Sequence, residues 1–170
     1  MTAATSSTAT PCTEADLHAL LRQRYTVLSG NGPRYAYLPH VRSSAGHDAE
    51  RTLDAVVMDL WPSKGLDLHG FEMKCSRSDW LRELKQPTKA AMFVDRVDRF
   101  WIVAAADDIV RRDELPPSWG LLHVIDSPIG PTLRSARAAR RLPSTEERRS
   151  VRRSWLACLL RSAAGPGDLR

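Results

Sequence analysis

The chain has 170 residues, 42% hydrophobic and 26% charged, the composition of a globular domain large enough to bury its own core. No apolar run approaches the roughly 18 residues of a membrane span, and the opening MTAATSSTATPC lacks both the basic start and the apolar core of a signal peptide, so a cytoplasmic protein is expected. The three cysteines, Cys12, Cys75 and Cys158, are too few and too scattered for a zinc cluster or a disulfide framework and are expected to be reduced. A formal charge of +5 is compatible with a nucleic-acid partner without requiring one. Arginine carries most of it, and three of the four lysines (Lys64, Lys74, Lys85, Lys89) lie between positions 74 and 89.

Residues 1–12 form a Thr/Ala/Ser tail without periodicity, expected to be disordered, as are residues 164–170. TEAD is a capping-box pattern that starts a helix at Thr13, with Leu17, Leu21, Tyr25 and Leu28 on one face before SGNGP ends it. Three strand-like runs follow, Tyr35 to Arg42, Thr52 to Trp61 and Leu66 to Cys75, the last two joined by the turn PSKG. Ser76 and Asp79 cap a helix whose apolar face reads as Trp80, Leu81 and Leu84, and Pro87 starts another through Ala90, Ala91 and Val94. RFWIVAAA is a short apolar strand, LPPSWG a loop, Leu121 to Ile125 a strand, and the region of Thr132 another. Thr145 to Ala163 reads as an amphipathic helix with Val151, Trp155 and Leu159 inside and Arg148, Arg149, Arg152 and Arg153 outside. The order helix, three strands, helix, strand predicts a single α/β domain over 13–163 with a mixed central sheet flanked by helices.

The stretch GFEMKCSRSDW sets Glu72 and Lys74 two residues apart on one strand, so both side chains share a face. The PSKG hairpin predicts a register with Asp54 across from Lys74 and within reach of Glu72, while Asp59 falls near His69. Two carboxylates and a lysine converging on a sheet suit Mg²⁺, which takes one or two carboxylates plus phosphate oxygens and keeps several waters. The chemistry such a site supports is phosphodiester hydrolysis, with Lys74 orienting water or neutralising developing charge. An isolated Glu-x-Lys triplet is a weak signal, and a solvent-facing ion pair would explain it as well; the strand context and Asp54 make it specific.

Asp54 on one strand, FEMK on the next and helices on either side resemble the PD-(D/E)XK nuclease superfamily. The run WPSKGLDLHGFEMKCSRSDWLRELKQPTKA with the later ELPPSWGLL is similar to small phage and bacterial nucleases of the MmcB DNA-repair type, over roughly Thr52 to Val124. The resemblance implies a restriction-endonuclease-like αβββαβ core and a Mg²⁺-dependent DNA endonuclease, with Mn²⁺ as substitute, acting in DNA repair or phage DNA metabolism. It implies Asp54, Glu72 and Lys74 as catalytic residues, with Asp54, Glu72 and the main-chain carbonyl of Met73 as metal ligands. Leu53 replaces the proline of the superfamily's name. His40 stands where relatives carry a glutamate near the end of the first strand, which implies one metal rather than two.

Arg77, Lys85 and Lys89 follow the motif and are candidates for contacts to DNA phosphates, or for a solvated helix face. The C-terminal arginines allow the same two readings. Glu14 on the first helix could approach the site, although its place in the capping turn favours a structural role. His18, His40, His47, His69 and His123 show no HxxxH or HxH spacing and read as ordinary surface or core residues. The five tryptophans read as core rather than base-stacking platforms. The expected partner is DNA rather than a membrane, with a homodimer left open. The alternative to the enzyme is a catalytically silent nucleic-acid-binding or partner-binding module on the same scaffold.

Overall fold

The computed structural model describes residues 12–26, 28–29, 32–43, 51–64 and 66–143, together with Trp155, Leu159 and Ala163. The predicted tails, Cys12 aside, fall outside these residues, as does the predicted C-terminal helix apart from its three described helical positions.

Local signals start the helices where the sequence places them. The Thr13 hydroxyl accepts the Asp16 amide at 3.3 Å while the Asp16 carboxylate accepts the Thr13 amide at 2.8 Å, opening α1 (Glu14–Arg24). Leu17 and Leu21 form its buried stripe. A two-stranded ribbon, β1 (Leu28–Ser29) and β2 (Gly32–Pro33), leads into β3 (Tyr35–Arg42), β4 (Thr52–Asp59) and, after a 3₁₀ turn at Pro62–Lys64, β5 (Leu68–Lys74). Ser76 caps α2 (Arg77–Leu84) by accepting the Asp79 amide, and Pro87 opens α3 (Pro87–Val94) from the first turn, where its missing N–H costs nothing. The chain continues through β6 (Arg99–Ala104), a 3₁₀ turn at Arg112–Glu114, β7 (Gly120–Ser127) and β8 (Gly130–Arg137).

The main sheet has six strands in the order β3-β4-β5-β6-β7-β8. β3, β4 and β5 are an antiparallel meander, β6 and β7 run parallel to β5, and β8 is antiparallel to β7. The fold is thus α/β with a mixed sheet. One face packs Phe71, Met73, Val103 and Leu122 against Leu17 and Leu21 of α1. The other packs Leu53, Val56, Phe100 and Ile102 against Trp80, Phe93 and Trp155. Trp155 also donates its indole N–H to the Arg42 carbonyl at 2.9 Å. No helix among the described residues is long and apolar enough to cross a membrane.

Two predicted details are corrected. Ala55 faces Phe71 and Val56 faces Gly70, so the hairpin register, continued by one residue, would set Asp54 opposite Glu72 rather than Lys74. Asp59 is paired with Asp67, whose carbonyl accepts its amide at 3.0 Å, and lies near His69 as expected, the two lining one cleft. The expected apolar face of α2 is also different: Leu81 and Leu84 are exposed, while Trp80 and Glu83 are buried.

The meander is kinked near its far end. Successive side chains of a strand alternate between faces, yet Leu53 and Val56, three apart, share one core layer, as do Leu38 and Val41 on β3. The facing therefore reverses once on each strand, between those residues. The pairs Pro39 with Ala55 and Val41 with Leu53 bracket His40 against Asp54 at this point, and His40 adopts φ +49°, outside the strand region.

Candidate functional site

Glu72 and Lys74 project side by side from β5 on the face covered by α2. The Lys74 ammonium lies 3.0 Å from Glu72 Oε1 and 3.4 Å from Glu83 Oε2, and its side chain is 4% exposed. α2 is oriented by the Ser76 cap and anchored by Trp80, and Glu83 lies one turn beyond Trp80 on the same helix face. The lysine is thus held between a strand carboxylate and a helix carboxylate.

Asp54 enters from β4. Regular pairing of β4 with β5 stops at Ala55 and Phe71, and the Met73 amide donates instead to Asp54 Oδ2 at 2.6 Å. A side-chain carboxylate replaces a backbone acceptor where the strands separate, which fixes Asp54 against the residue between Glu72 and Lys74. The Met73 side chain is buried on the α1 face.

The electrostatics follow from crowding. Burial and then the Asp54 charge push the Glu72 carboxyl up to about 7, against the opposing pull of Lys74. Burial works against the Lys74 charge, yet Glu72 and Glu83 outweigh it and hold the ammonium above its ordinary pKa. Lys74 remains a cation while Glu72 has a proton to yield near neutrality.

The three candidate phosphate contacts separate. Arg77 turns into the protein, donating to the Ile109 carbonyl at 3.0 Å and gripping Glu114 with both terminal nitrogens. Its donors serve the fold and are turned away from the phosphate role expected of it. Lys85 is exposed at the C-cap of α2. Lys89 lies in α3, with its side chain outside the described residues.

A second cluster was not expected from sequence. Glu14, His18 and His40 bring one ligand-capable atom each within 4.8 Å of one another. His18 Nε2 is 3.7 Å from Glu14 Oε1, and the two imidazole centroids are 4.7 Å apart. His18 and His40, read from sequence as ordinary residues, thus lie beside Glu14 in a group that could hold a metal ion. The ligand spacings sought were His-to-His, whereas this cluster is an E-x-x-x-H turn of α1 joined to a distant strand residue. Glu83 was missed for a related reason, because Leu81 and Leu84 offered an apolar face that competed with it.

No known protein-family model matches the chain, and neither does any curated protein. Among solved structures it is similar to a protein of unknown function from Silicibacter pomeroyi, with a TM-score of 0.54 and 16% identity, covering 96% of this chain and 100% of the other. At that identity the similarity shows a shared fold.

Proposed function

We propose that the chain is a Mg²⁺-dependent deoxyribonuclease of PD-(D/E)XK type, with Asp54, Glu72 and Lys74 as its catalytic residues. The observation that carries the reading is the burial of Glu72 and Lys74 as neighbours on β5, with Asp54 fixed beside them by the Met73 amide. The order α1, antiparallel β3-β4-β5, α2 and parallel β6 is also the order a restriction-endonuclease-like core requires.

The donor set fits the metal. Burial and then repulsion from Asp54 on the adjacent strand raise Glu72, and a hard divalent cation with oxygen preference relieves that repulsion. Asp54, Glu72 and the Met73 carbonyl would hold Mg²⁺, which supplies charge neutralisation at the scissile phosphate and a bound water of lowered pKa. Lys74, kept charged and aimed by Glu72 and Glu83, orients the attacking water or stabilises charge developing on the phosphoryl oxygens. Glu83 is a positioning residue that acts through Lys74. DNA is the proposed substrate, with Lys85 and Lys89 the remaining candidates for backbone contacts.

The test is nicking of supercoiled plasmid with Mg²⁺, Mn²⁺ or EDTA, beside a Lys74→Ala variant checked for folding by circular dichroism. Cleavage abolished by EDTA is expected, with Lys74→Ala lowering turnover by orders of magnitude at nearly unchanged DNA affinity. DNA binding without metal-dependent cleavage of duplex, single-stranded, branched or uracil-containing substrates would leave the silent binding module in its place.

A further inference from the structure

We propose that Glu14, His18 and His40 form a second metal site, built for a borderline-soft transition ion of the Zn²⁺ class rather than for Mg²⁺. Two imidazoles and one carboxylate are the donor set such an ion prefers, and three protein ligands leave a coordination position open. Bonds of about 2.0–2.1 Å in tetrahedral geometry place neighbouring ligand atoms roughly 3.4 Å apart. The 3.7 Å separation of His18 Nε2 from Glu14 Oε1 is near that value, and the whole set lies within 4.8 Å.

Three features of the molecule point the same way. His18 Nε2 is a buried nitrogen without a hydrogen-bond partner, a cost that a metal bond would remove. The other ring nitrogen, Nδ1, lies 2.5 Å from the Tyr37 hydroxyl, an outer contact that orients the ring and places Nε2 beside Glu14; when Nδ1–H donates to that hydroxyl, Nε2 is the nitrogen able to ligate. His40 reaches the cluster from a left-handed backbone, φ +49°, a conformation costing about 1–3 kcal/mol that non-glycine residues keep where the surroundings or a function require it. Glu14 and His40 are exposed, which leaves the open position facing solvent.

The site adjoins the Asp54, Glu72 and Lys74 group, since His40 lies against Asp54, but its ligands are its own and come from α1 and β3. The experiment uses the full chain freed of metal by chelation and titrated with Zn²⁺ by calorimetry, with Co²⁺ as a spectroscopic probe. One equivalent of Zn²⁺ is expected to bind in preference to Mg²⁺, and Co²⁺ is expected to show ligand-field bands of nitrogen and oxygen coordination. His18→Gln and His40→Gln should each weaken Zn²⁺ binding at least about tenfold, and Tyr37→Phe, an outer contact, about 10–100-fold. Asp54→Asn removes a neighbouring charge but none of the three ligands, so one-equivalent Zn²⁺ binding should persist in it. Zn²⁺ binding that both histidine variants retain, or the absence of any one-equivalent binding by a folded wild-type chain, would overturn the proposal.

Discussion

Glu114 and Glu72 are carboxyls pushed in opposite directions, and the contrast predicts opposite responses to pH. Glu114 accepts from the Arg77 guanidinium, from the Trp80 indole at 2.8 Å and from the Arg111 amide at 3.2 Å. Arg77 foremost, against burial and with Trp80 assisting, holds its carboxyl down to about 2 from an ordinary 4.5. The unfolded chain then binds more protons than the folded one between those values. The stabilisation is complete above about pH 4.5 and is lost as pH falls through about 2. Glu114→Gln should cost about 1–3 kcal/mol at pH 7, as for a charged hydrogen bond, and should flatten the acid limb of a urea-unfolding profile. Glu72, raised to about 7, binds its proton more tightly when folded, so its contribution is present below about 4.5 and lost as pH rises through about 7. In chelator, Glu72→Gln should remove that decline between pH 4.5 and 7, read from denaturation midpoints.

Strand and helix starts were legible because each has a local cause. Thr13 with Asp16, Ser76 with Asp79, and Pro87 all act within one helical turn, and the beginnings of β3 and β4 follow Gly/Pro and polar breaks. The register of β4 on β5 was not legible, since it depends on how the 3₁₀ turn at Pro62–Lys64 closes and on the bond between Asp59 and Asp67. Asp54, Glu72 and Lys74 could be proposed as a group because strand periodicity tolerates that slip in pairing. The association of Glu14 and His18 with His40 depends on α1 docking against β3, a tertiary event without a local signal. A further consequence of sheet packing concerns β6 and β7. Trp101 lies in register with Gly120, and a Cβ there would come within 2.2 Å of the indole Cε3. The same indole donates to His69 Nδ1 at 3.2 Å and stacks near Phe71, so it has little room to move. Gly120→Ala should therefore destabilise by about 1–3 kcal/mol, as overpacking does, with a lowered urea midpoint and an unchanged m-value.

At the scale of the molecule, the two core layers meet through one sheet, and the charged group on β5 is buried between that sheet and α2. Removing Lys74 would leave two carboxylates without their shared cation, a change that in buried pairs typically costs about 3–5 kcal/mol, so Lys74→Ala is expected to be less stable as well as inactive. A ligand that binds only the folded chain raises its stability, by about 2.7 kcal/mol at one hundred times its dissociation constant. Mg²⁺ should accordingly raise the melting temperature of wild type in proportion to the logarithm of its concentration, and Asp54→Asn should lose that response while retaining circular dichroism. An equal rise in both proteins would remove Asp54 from the proposed metal site.

The outermost strands of the six are β3 and β8, and each contains a proline, Pro39 and Pro131. Proline is tolerated at a sheet edge and makes it a poor template, since it cannot supply an amide to an incoming strand. Open-ended growth of the sheet from one copy to the next is thereby discouraged at both rims. Self-association through the helix-covered faces or the loops is favoured over edge pairing, and it would leave the meander that carries Asp54 and Glu72 with its own pairing when copies meet.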